Sequence, residues 1–162
     1  MKDSLKKSLD NVDMTYQDLL YIADDIIHDY VSEINDLISF AYSKSENLTN
    51  DMLRDLIIKL SLKGFTFGDT KEKSILKSQC AESLRKEAYA KQFSMLDGSV
   101  AAKDTKATLN ISDEILTDHL YSLISSLFKT KLDEIHRCVD ALKTVLMSRL
   151  QEAKLSNTNI GE

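Results

Sequence analysis

The stretch Tyr16–Ala41, Y-Q-D-L-L-Y-I-A-D-D-I-I-H-D-Y-V-S-E-I-N-D-L-I-S-F-A, decides the fold. Tyr16, Leu20, Ala23, Ile27, Tyr30, Ile34, Leu37 and Ala41 recur in alternating steps of four and three. That spacing keeps an apolar seam on one side of a helix. Leu19, Ile22, Ile26 and Ile38 widen the stripe, which predicts a helix packed against more than one neighbour. The polar run S-K-S-E-N ends it.

The same alternation returns near the C-terminus in Phe128, Leu132, Ile135, Val139, Leu142 and Leu146. Ser112, followed by Asp113 and Glu114, suits the start of that helix, because a hydroxyl caps free N–H groups and acids favour the positive end of the helix dipole. The helix is expected to run to about Lys154. Between the two seams, a helix capped at Thr49 or Asn50 is expected to stop at Gly64. G-F-T-F-G-D then reads as a link, either a short extended excursion or a segment tucking Phe65 and Phe67 against the helices. Asp69 with Glu72 has the form of a capping box opening a third helix, about Lys71 to Leu96. Its buried stripe is expected to be Leu76, Cys80, Leu84 and Ala88. Asp97-Gly98 interrupts it, and Ser99 can cap a short continuation through Val100, Ala101, Ala102 and Ala107.

Composition agrees with this pattern. The 162 residues contain no proline and four glycines, too few breakers for the many turns of a β-rich fold. The fold class expected is all-α, with long helices forming a helical bundle or coiled-coil-like oligomerising domain. The organisation expected is a flexible N-terminus at 1–12, an acidic helical region at 13–63, a basic helix plus long C-terminal helix at 64–154, and a flexible tail at 155–162.

The net charge of −5 argues against a general nucleic-acid coat, but it is unevenly placed. Residues 1–60 hold 6 basic and 12 acidic side chains, whereas residues 61–110 hold 9 basic and 6 acidic. Cys80 and Cys138 match no zinc spacing and read as reduced thiols. The N-terminus lacks the apolar core of a signal peptide, and no apolar run approaches membrane-spanning length, so a cytoplasmic protein without membrane contact is expected.

Catalytic motifs are sparse. Asp25-Ile-Ile-His28 and Asp133-Glu-Ile-His136 place an acid and an imidazole on one helix face, as E-x-x-H does in di-iron bundles. Aspartate reaches less far, each His sits beside the seam, and bridging glutamates lack clear candidates. No metal site, cofactor or catalytic residue is therefore expected, and a di-metal bundle enzyme is the third-ranked reading. Binding is the stronger theme. Arg85, Lys86, Lys91, Lys103 and Lys106 bracket Tyr89 and Phe93. Cations for phosphates beside an aromatic platform for bases are what single-strand binding needs. Packing of Tyr89 and Phe93 into the bundle is the alternative.

The order R-K-E-A-Y at 85–89, D-G-S-V-A-A-K at 97–103 and V-D-A-L-K-T-V-L-M-S-R-L-Q-E-A at 139–153 resembles the UvsY recombination mediators of T-even-type phages, over about residues 75–154. In that family a basic helix ends at a Tyr-rich turn with glycine, and a long C-terminal helix closes the domain. The resemblance implies a non-enzymatic, ring-forming mediator that loads a recombinase onto single-stranded DNA coated by a single-strand-binding protein, in the cytoplasm of an infected host. It places Arg85 and Lys86 where the family's DNA-contacting residues lie, and the oligomer interface on the helix from 112 to 154. The chain departs in its longer acidic N-terminal half and in having only Tyr89 ahead of Gly98. The alternative expectation is an oligomeric structural or scaffolding protein, such as one of a virion, that binds no nucleic acid.

Overall fold

The computed structural model describes the backbone of residues 2–44 and 47–158, with side chains described for 15–44 and 47–155. Four helices account for it: α1 (Lys2–Lys44), α2 (Asn50–Met95), α3 (Val100–Asn110) and α4 (Ser112–Thr158). No strand occurs among the described residues. The all-α class read from the sequence is what forms. The helix backbone also runs through residues 2–12 and on to Thr158, within stretches expected to be flexible ends; residues 2–12 and 155–158 contain no proline or glycine to stop it. The last residues of the expected tail lie outside the described residues.

The main correction concerns α2. Gly64 does not stop a helix, G-F-T-F-G-D is not a link, and Asp69 and Glu72 do not open a new helix; all lie inside α2. The local reason is packing. A Cβ on Gly64 would meet Cγ2 of Ile135 at 3.1 Å, so glycine permits close approach to α4. Phe67, three residues on, is buried, and Thr66 satisfies its hydroxyl on the Leu62 and Lys63 carbonyls.

The chain divides into two compact units. The unit formed by Asp29–Thr70 and Lys129–Glu162 is a three-helix bundle from α1, α2 and α4. Its core is Val31, Ile34, Ile38 and Ala41 of α1, Leu53, Leu56, Leu60 and Phe67 of α2, and Ile135, Cys138, Val139 and Leu142 of α4. Leu48, in the turn joining α1 to α2, is buried as well, and Arg149 donates to its carbonyl. Thr49 caps α2 by accepting from the Met52 amide at 3.2 Å, as its position suggested. Glu33 pairs with Lys63, and Lys131 donates to Asn35 at 2.7 Å while also pairing with Glu134, so polar ties flank the core.

The other unit, Met1–His28 with Lys71–Phe128, buries Ala23, Ile27, Ala81, Ala107, Ile111, Ile124 and Phe128. Here α2 does not bury the predicted row. Leu76, Cys80 and Leu84 are exposed, whereas Ser74 and Ala81 are buried and Ala88 is half-buried. Steps of four drift around a helix of 3.6 residues per turn, so the leucine row cannot track the core. The row that does is a row of small side chains, with Ser74 donating to the Lys71 carbonyl at 2.7 Å. A similar drift moves the α1 seam: Tyr30 is exposed and Val31 takes its place, and Ile38 is buried deeper than Leu37.

Candidate nucleic-acid interface

The seven residues singled out as DNA contacts all fall in this second unit, on the last third of α2 and on α3. A sharp turn joins the two helices. Gly98 adopts φ of +123°, a backbone region that disfavours side chains, and Ser99 caps α3 by accepting from the Ala102 amide at 3.4 Å. Both features were legible as D-G-S. Asn110 of α3 donates to Gln92 of α2 at 3.2 Å, and Ala107 is fully buried, so α3 is held against its unit.

The turn brings Tyr89, Phe93 and Lys103 together. The Tyr89 and Phe93 rings stack with centroids 5.8 Å apart and planes 28° apart. Lys103 Nζ lies 5.7 Å from the Phe93 centroid, within cation–π range. The Tyr89 hydroxyl donates to Asp104 at 2.6 Å. That bond, with some desolvation and the Asp104 charge, raises the phenol above its ordinary pKa. The Phe93 ring is thus already in contact with the Tyr89 ring and the Lys103 cation.

The cations are less free than the sequence suggested. Arg85 Nε donates to Asp118 of α4 at 2.7 Å in a partly buried pair, and Lys86 pairs with Glu82 one turn away at 2.6 Å. Lys91 and Lys106 are exposed and form no ion pair among the described residues. The Glu82–Lys86 pairing could be read from its spacing of four. Asp104 and Asp118, distant in sequence from Tyr89 and Arg85, carry no such signal. Chemically, this corner braces α3 and α4 on α2 with charge-assisted bonds and leaves three lysines, Lys91, Lys103 and Lys106, to meet an anion.

The other candidate chemistry has no geometric support among the described residues. Asp25, His28, Asp133 and His136 are all exposed, and no group of three or more His, Cys, Asp or Glu side chains could hold a metal ion. Cys138 is buried in the three-helix unit, where burial and then Glu134 raise its thiol pKa and keep it protonated. Among the described residues, no helix is long and apolar enough to cross a membrane.

What sequence reasoning missed is apolar. In the three-helix unit, Ile58, Leu62 and Phe65 point outward from α2, with Phe65 79% exposed. Leu62 also lines an open groove of about 380 Å³ with Leu37 and Lys59. In the other unit, Leu76 and Leu84 are 60% and 62% exposed. Leu84 edges a hollow of about 270 Å³ with Ala81, Asp113, Glu114 and Thr117. The signal was present in the sequence, as large apolar residues at helical spacing on a helix whose small residues also recur at helical spacing. No protein-family profile matches the chain, and no curated protein or solved structure is significantly similar to it.

Proposed function

We propose that the chain is a non-catalytic helical assembly protein that self-associates through outward-facing apolar rows of α2. The observation that carries this reading is the exposure of Ile58, Leu62 and Phe65 in one unit and of Leu76 and Leu84 in the other. Scattered apolar residues on a surface need no explanation, but rows at helical spacing beside apolar hollows are what helix-to-helix docking uses. The partly buried pairing of Arg85 with Asp118 favours a scaffolding role over the recombination-mediator role implied by the UvsY resemblance. Sedimentation velocity across a concentration series tests it: the sedimentation coefficient should rise with concentration, and a constant monomer value would reject the reading.

A second reading keeps single-stranded DNA as a partner at the α2–α3 corner. It is favoured by Lys103 over Phe93 with Lys91 and Lys106 exposed nearby in the chain. Contacts to phosphate release counterions, so such binding must fall steeply with salt. An oligonucleotide that fails to bind at low salt removes this reading, together with any recombinase or single-strand-binding partner it would bring.

A further inference from the structure

We propose that Leu76, Cys80 and Leu84 of α2, flanked by Lys73 and Glu87, form a self-complementary face on which α2 of a second copy docks antiparallel, Cys80 opposite Cys80. The proposal rests on the self-association reading and names its partner and register. Its basis is a symmetry in the sequence that the structure turns outward. Leu76 and Leu84 lie four residues either side of Cys80, and Lys73 and Glu87 lie seven either side. All five are exposed, and neither Lys73 nor Glu87 has an ion-pair partner among the described residues.

A twofold interface requires that whatever residue i meets, its partner meets i in return. Centred on Cys80, an antiparallel pair satisfies this throughout: Leu76 meets Leu84 of the second copy, and Lys73 meets its Glu87. A parallel pair in the same register would set Lys73 against Lys73 and Glu87 against Glu87, so charge selects the antiparallel arrangement. The hollow beside Leu84 adds a receptacle. It lies where Leu76 of the second copy would arrive, and its rim carries Asp113 and Glu114. Lys77, adjacent to Leu76, would come with it and face those carboxylates. Leucine knob, hollow and opposite charges thus coincide at each end of one face.

The full chain tests this with a short bismaleimide that joins facing thiols, read beside sedimentation. Cys138 is buried, so Cys80 is the thiol that reports. Wild type should yield a covalent dimer, and Cys80→Ser should abolish the cross-link without changing the sedimentation profile. Lys73→Glu or Glu87→Lys alone should weaken dimerisation roughly three- to tenfold, since each turns two surface attractions into repulsions. The double swap K73E/E87K should restore it. These positions are exposed, and circular dichroism checks that each variant stays helical. Association that persists with no cross-link and no rescue by the double swap overturns this register while leaving self-association standing. A monomer at every concentration, with no cross-link, overturns both.

Discussion

Replacing two glycines of α2 by alanine should move stability in opposite directions, because one is there for packing and the other is not. Alanine is favoured over glycine in a helix interior by about 1 kcal/mol, largely through the freedom glycine has when unfolded. At Gly68 an added Cβ meets nothing within 4 Å, so Gly68→Ala collects most of that gain. We expect a stabilisation of about 0.5–1 kcal/mol. At Gly64 the Cβ would stand 3.1 Å from Cγ2 of Ile135, itself fully buried. Overpacking a closed core costs about 1–3 kcal/mol, which exceeds the gain from helix propensity. Gly64→Ala should therefore destabilise by about 1 kcal/mol, leaving the two variants about 2 kcal/mol apart. For a chain of this size that separates their melting midpoints by roughly 4–8 °C. Urea and thermal unfolding followed by circular dichroism would measure it. A Gly64→Ala variant as stable as Gly68→Ala would refute the close approach of α2 to α4 in this unit.

Three further outcomes follow from the other unit and from the thiols. Arg85→Ala should destabilise by about 1–2 kcal/mol, because it strands Asp118 in a partly buried position without its cation; a variant of unchanged stability would free Arg85 for a ligand. The Tyr89 phenol should titrate above the ordinary tyrosine value in ultraviolet absorbance, and Asp104→Asn should lower it. The sign is that of a raised pKa: the bond to Asp104 helps hold the fold below pH about 10 and is lost as pH rises through the folded value. At concentrations low enough to keep the protein monomeric, a thiol-reactive dye should modify Cys80 quickly and Cys138 slowly until the protein is unfolded, since Cys138 is buried with its thiolate disfavoured. Equal rates would contradict the packing of the three-helix unit.

Local signals in the sequence identified several of the helix ends. Thr49 caps α2, Ser99 caps α3, Gly98 makes the turn between them, and α4 starts at Ser112 with two acids in its first turn. The C-terminal seam is buried at Phe128, Ile135, Val139 and Leu142. What failed required knowing the neighbours. Gly64 signals a helix stop when read alone, and only the approach of Ile135 makes it a packing glycine. Leu76, Cys80 and Leu84 look like a core row until the smaller Ser74 and Ala81 are seen to occupy the interior. In the candidate interface, grouping Tyr89, Phe93 and Lys103 was possible from spacing and the turn. The neutralisation of Arg85 by Asp118 was not, because the two are 33 residues apart.

The most direct test of the central claim, assembly through helix faces rather than strand binding, is sedimentation velocity of the protein with a fluorescent single-stranded oligonucleotide at low salt. Self-association predicts that the protein boundary moves faster as concentration rises while the oligonucleotide sediments free. A protein that stays monomeric and carries the oligonucleotide with it, releasing it as salt is raised, would contradict the account.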